Sequence, residues 1–279
     1  MDDMIEGTSI FTIERRKDFP KAYTAFFEDL QTMVTTTSGK ECKMFVFLEH
    51  CIRFWPHRCG AAGIDDYLKG IDIDIKNPKE DKELLLTLEL LINLLHWAPQ
   101  QDINDKTELS LSFDLSRGVE SEANRMLDNA DYILEQCCNM KVRVVADEAF
   151  PKYYITKRNV NVDIAAMAVP KLSDILLGYF DIRNEADIEF KKNALIAIYE
   201  YLEPRRKDLK QMPWGNISEE FFADMNSFRI RHNDKNQVSL RGKKKAIIFD
   251  KLFMMAVYMM QGEAVSGYKE EMKGLRDKK

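Results

Sequence analysis

The chain has no apolar run long enough to span a bilayer. Its two longest, Leu84 to Trp97 and Ala246 to Met260, are interrupted by Glu89 and by Asp250 and Lys251, and both fall short of the roughly 20 residues a membrane helix needs. No membrane partner is expected. Glycine and proline are scarce, at 12 and 8 of 279 residues, and no segment is of low complexity, which argues against long disordered tracts. The five cysteines are odd in number, and Met1-Asp2-Asp3-Met4 is acidic with no basic region leading into an apolar core. A reduced, cytoplasmic location is the expectation.

Several chemical signatures are missing as well. There is no Gly-rich phosphate loop, no nucleophile elbow and no H-E-x-x-H. His50, Cys51, His57 and Cys59 lie close together, but their spacing fits no structural zinc pattern and no second cluster completes it. Neither a metal nor a cofactor is expected. His50 and Cys51 read instead as a buried helix face, Cys137 and Cys138 as core thiols, and His96 beside Trp97 as structural. No helix-turn-helix pattern places basic residues on a recognition helix, which disfavours a DNA-binding regulator.

What is present is the composition of a packed, mainly helical protein, with 45% apolar and 31% charged residues over a length that suits one large or two ordinary domains. The net charge of −5 is unevenly spread. From Lys191 onward 19 basic residues face 12 acidic ones, +7, against 22 and 34 before it, −12. Such asymmetry suggests parts with different partners, unless the charges only decorate solvated faces.

Asp18-Phe19-Pro20 opens a helix, with proline in the first turn where its missing N–H costs nothing, and the Thr-Thr-Thr-Ser-Gly stretch at 35–39 reads as the loop that ends it. Met44 to Phe54 is a second helix. Asn77-Pro78 starts a third, apolar on most sides and therefore central, which Pro99 is expected to stop. Residues 120–139 form another. Val142-Arg143-Val144-Val145 and Tyr153-Tyr154-Ile155-Thr156 read as a two-stranded hairpin, which must pack on helices to be stable. Helix returns from Val162 to Phe180, broken near Pro170. Asn184 is the expected cap of a helix through Leu195, Ile198, Tyr199 and Leu202, Met212 to Gly215 a loop, and Ser218 the start of the next helix. The Met-rich stretch Ala246 to Met260 suits a core helix or an oligomer interface. The expected organisation is a helical part over 1–140, the hairpin and a connecting helix over 141–183, and a helical domain over 184–279.

The most distinctive stretch is Phe228-Arg229-Ile230-Arg231-His232-Asn233-Asp234, followed by Arg241-Gly242-Lys243-Lys244-Lys245. On a helix over Ser218 to His232, Phe221, Phe222, Met225 and Phe228 form an apolar stripe. His232 falls inside that stripe and Arg229 along its edge, where imidazole can move protons and guanidinium can hold an anion. The plain alternative is a satisfied histidine at a helix end with Asn233 as its cap. Between 229 and 245, Arg229, Arg231, Lys235, Arg241, Lys243, Lys244 and Lys245 face one acid, Asp234. That density can neutralise several phosphates and gives salt-sensitive affinity, although a solvated basic loop would look the same.

The order of these features, a helix leading into a hairpin, then Lys192-Asn193-Ala194-Leu195-Ile196-Ala197-Ile198-Tyr199-Glu200, then Ile230-Arg231-His232, resembles bacterial abortive-infection-type proteins with a HEPN-like C-terminal helical domain. The resemblance covers roughly residues 125–260. It implies a four-helix unit that forms homodimers and a phage-defence effector that binds RNA and cleaves it without metal. His232 would move protons at the 2′-hydroxyl or the leaving oxygen, and Arg231 and Arg229 would hold the phosphate. One histidine per chain implies that two chains pool residues across a two-fold axis. Arg229 stands only three residues before His232, closer than in the active-family motif. This motivates the alternative, a non-enzymatic helical dimerisation or interaction protein.

Overall fold

The computed structural model describes residues 18–36, 38–74, 80–104, 118–145, 150–228, 230 and 243–276. The chain forms two compact units, Met1–Lys157 and Arg158–Lys279. Both are mainly helical, as the composition and periodicity imply.

The first unit holds helices α1 (Phe19–Asp29), α2 (Met44–Cys51), α3 (Ile64–Lys69), α4 (Asp81–Asn104) and α5 (Val119–Ile133). It also holds two antiparallel pairs, β1 (Met33–Thr35) with β2 (Glu41–Lys43) and β3 (Met140–Val145) with β4 (Lys152–Lys157). Thr35, the first residue of the stretch read as a loop, is the last residue of β1, which pairs with β2 through Val34 opposite Cys42; strands of three residues carry too little alternation to be seen in sequence. The second pair is the expected hairpin, with Val142 opposite Ile155.

α4 is the centre of this unit, with Leu88, Leu90, Leu91, Leu94 and Leu95 fully buried. It runs through Pro99 to Asn104, contrary to the expected stop. Proline removes one backbone bond and crowds the preceding turn, yet the turns before it, buried as far as Ala98, carry the helix past. Asn77 and Pro78, its expected start, lie outside the described residues.

Two polar residues on this central helix explain how a two-stranded hairpin is held. The Glu89 carboxylate accepts the Ile155 N–H at 2.7 Å. Asn93, one turn on, accepts the Tyr153 N–H at 3.0 Å and donates to the Tyr153 carbonyl at 2.7 Å. Alternate residues of β4 turn their amides away from β3, and α4 answers them with side chains where a third strand would stand.

The second unit contains α6 (Val160–Ala168), α7 (Ser173–Gly178), α8 (Ile188–Leu202), α9 (Arg206–Gln211), α10 (Gly215–Ser227) and α11 (Lys243–Arg276). Its core joins Leu195, Ile198 and Tyr199 of α8, Phe221 and Phe222 of α10, and Phe249 and Phe253 of α11. The break near Pro170 is a 3-10 turn between α6 and α7. The cap of α8 is Asp187, whose side chain accepts the Phe190 N–H at 2.8 Å. Asn184 instead donates to the Gly178 carbonyl at 2.9 Å and shapes the preceding turn, a use of asparagine that competes with capping. α10 begins at Gly215 and not at Ser218. A β-carbon at position 215 would strike the Lys210 carbonyl, so glycine permits the tight passage from α9.

Among the described residues, no helix is long and apolar enough to cross a membrane.

Candidate functional site

The second unit presents two features with chemical potential, the junction from α10 to α11 and the groove between those helices. α10 ends at Ser227, and Phe228 follows with its N–H on the Asp224 carbonyl at 3.0 Å. The regular helix therefore stops five residues before His232, and the helical projection that grouped His232 with Arg229 loses its basis. Arg229, Arg231, His232, Lys235 and Arg241 lie outside the described residues. Between the two arginines in sequence, Ile230 is 1% exposed and belongs to the core, with Phe228 packed against it.

α11 opens with Lys243-Lys244-Lys245 and has no acid in its first turn. Lys244 is exposed, and the Lys245 ammonium lies 5.4 Å from the centre of the Phe249 ring. Three cations at a helix N-terminus oppose the macrodipole, whose positive end favours anions there, typically by about 0.3–1 kcal/mol per charge. The arrangement costs the helix stability.

The groove is an open concavity of about 690 Å³ between α10 and α11. α11 lines it with Ile247, Asp250, Lys251, Met254, Met255 and Tyr258, spaced i, i+3, i+4, i+7, i+8 and i+11 and so on one face. α10 contributes Ile217 and Glu220. Ile247 and Tyr258 are 53% and 51% exposed. The Met-rich helix is accordingly both core and surface: Phe249, Leu252, Phe253 and Val257 are buried on its other side.

Beneath the groove, the Lys191 ammonium of α8 meets Asp250 at 2.9 Å; its side chain is 3% exposed. It also lies 5.4 Å from the centre of the Tyr179 ring, which stacks on Phe253 at 3.7 Å. The Tyr179 hydroxyl makes no hydrogen bond of good geometry among the described residues. Burial, and after it the nearby Asp250 carboxylate, pushes its pKa well above the usual phenol range. On α10, burial and then the charge of Glu220 one turn away hold the Asp224 carboxyl above its ordinary value. Arg205 and Arg206, just past the end of α8, sit over the rings of Tyr201 at 4.1 Å and Phe222 at 4.9 Å.

In the first unit, His96 stacks on Tyr153 at 3.7 Å with the rings within 7° of parallel, and burial lowers its pKa. With Asn93 and Trp97 it borders a small cavity whose polar work is the holding of β4. Cys51 is buried as expected, but His50 is exposed and rests edge-on to Phe54 at 5.5 Å; the α2 face that packs inward carries Met44, Leu48 and Cys51. Cys137 and Cys138 are half-buried rather than core residues, because they occupy the wide turn Leu134–Cys138 that ends α5. Burial pushes the Cys138 thiol up to about 12, which makes it a poor nucleophile. Among the described residues, no three His, Cys, Asp or Glu side chains converge as metal ligands.

Sequence reasoning missed the groove and the Lys191–Asp250 pair. The i, i+3, i+4, i+7 recurrence along 247–258 was the available signal, but it is masked by an equally apolar opposite face. Compared with protein-family models, curated proteins and solved structures, the chain matches none.

Proposed function

We propose that the protein is an RNA-directed effector of the abortive-infection type, in which a HEPN-like helical unit binds RNA through the basic stretch Arg229 to Lys245 and cleaves it without a metal. The observation that carries this reading is the first turn of α11, where Lys243, Lys244 and Lys245 stand against the helix dipole with no acid in that turn. A sequence that accepts that cost has use for a polyanion there. Ile230, which lies between Arg229 and Arg231 in sequence, is buried in that bundle, and this supports the reading. In the cleavage step His232 would move a proton at the 2′-hydroxyl or the leaving 5′ oxygen, with Arg229 and Arg231 on the phosphate. Two chains would pool their histidines in a homodimer, a state that light scattering measures directly.

The test is fluorescence anisotropy of a labelled single-stranded RNA across a salt series. The wild type should bind with a steep inverse dependence on salt, and the Lys243→Gln, Lys244→Gln, Lys245→Gln triple variant should bind more weakly with a slope reduced by about two to three. Salt-independent binding, or a triple variant indistinguishable from the wild type, contradicts the reading.

The second reading, a non-enzymatic interaction protein, is favoured by the apolar groove between α10 and α11, since half-exposed isoleucine and tyrosine in a concave surface mark a contact site.

A further inference from the structure

We infer that the groove between α10 and α11 is a docking site for an amphipathic helix of a partner protein, about three turns long, with basic residues along one edge of its apolar stripe. The inference stands on the groove itself and not on the RNA reading. Ile247 and Tyr258 mark its two ends on α11 and lie eleven residues apart, about 16 Å at the rise of an α-helix. Met254 and Met255 form its floor between them, and methionine adapts to the side chains of a guest better than branched residues do. A helix laid into such a groove presents anchors at i, i+3 or i+4, and i+7.

The charge of the walls selects the guest. α10 carries Glu219, Glu220 and Asp224 and no basic residue. Glu219 is engaged by Lys210, which leaves Glu220, on the groove, and Asp224, one turn further along. The Asp250 carboxylate on the opposite wall is already matched by Lys191, and among the described residues Lys251 is the one cation of the lining. Among the described residues the α10 wall thus carries acidic side chains and no basic one, and a guest with lysine or arginine along the edge facing α10 pairs with them while its apolar stripe covers Ile217, Ile247 and Tyr258. A second copy offering this same face would instead bring Glu220 and Asp224 into the contact from both sides of a two-fold axis, like charge against like.

The experiment uses the full chain and two labelled helical peptides that share a leucine stripe at i, i+4, i+7 and i+11, one with lysines along an edge and the other with glutamates at those positions. The lysine peptide is expected to bind in a salt-sensitive manner and the glutamate peptide about tenfold more weakly or not at all. Glu220→Lys should reverse that order. Ile247→Glu, at a half-exposed position whose fold is checked by circular dichroism, should weaken both by about tenfold or more. Equal binding of the two peptides, or binding of neither by the folded protein, overturns the inference. So does a dimer that Ile247→Glu converts to monomer in sedimentation, which would make a second copy the occupant. Because RNA affinity is read separately, failure here is distinguishable from failure of the RNA reading.

Discussion

Lys191 of α8 and Asp250 of α11 form an ion pair at 2.9 Å in which the lysine side chain is 3% exposed and the aspartate 40%. The asymmetry sets their energetics. The carboxylate keeps access to solvent from the groove, whereas the ammonium has surrendered its water and depends on its partner. Asp250→Ala is therefore expected to destabilise the second unit by about 2 kcal/mol, because it strands a buried cation, while Lys191→Met, which removes the cation and keeps its bulk, should cost less than about 1 kcal/mol. Urea denaturation of the two variants gives the comparison, and equal losses would show that the pair is not the source of the effect.

Glu89 and Asn93 are expected to be as important to the hairpin as its own strand pairing. Glu89→Leu keeps the apolar character of α4 but leaves the Ile155 N–H without its carboxylate at 2.7 Å, which should cost about 2 kcal/mol. Hydrogen exchange should then show the amides of Tyr153 and Ile155 losing protection before those within α4. Uniform loss along the unit would argue that the hairpin and helix open together.

His96 makes the stability of the first unit depend on pH. Burial lowers its folded pKa, so the unfolded chain binds a proton at a pH where the folded one does not. The stabilisation is complete above the unfolded value of about 6.5 and is lost as pH falls through the folded value below it. His96→Phe preserves the stack on Tyr153 without titrating. Urea midpoints measured between about pH 5 and 7 should fall with acid in the wild type and remain flatter in the variant; parallel profiles would rule His96 out.

Gly262→Ala tests the approach of α10 and α11 by its sign. In an exposed helix interior the change stabilises by about 1 kcal/mol. Here a β-carbon would collide with the Trp214 ring, which sits edge-on to Tyr258 at 6.3 Å, so a lower Tm is expected, equivalent to about 1–2 kcal/mol. A raised Tm would mean that the ring yields.

The elements that were legible in the sequence are those with strong periodicity or composition: α4 by its leucines, the β3–β4 hairpin by its β-branched and aromatic run, and the core of the second unit by the stripe through Phe221, Phe222 and Met225. What escaped depends on contacts between residues far apart in the chain. Glu89 reads as an interruption of an apolar run, and only Ile155, 66 residues away, shows it to be the partner of a strand edge. Asn184 and Asp187 are both good caps in isolation, and the turn made with Gly178 decides between them. Of the candidate site, the lysines at the start of α11 and the buried Ile230 are placed by the fold, while the end of α10 at Ser227 removed the helical argument for His232. Helix ends are set by local capping and packing that periodicity does not encode.

The most direct test of the RNA reading is incubation of the purified protein with total RNA and tRNA in excess EDTA, wild type beside His232→Ala, with the fold of both verified by circular dichroism. The account predicts cleavage by the wild type, unaffected by the chelator, and none by the folded variant. Intact RNA with the wild type, or equal cleavage by both proteins, would contradict it.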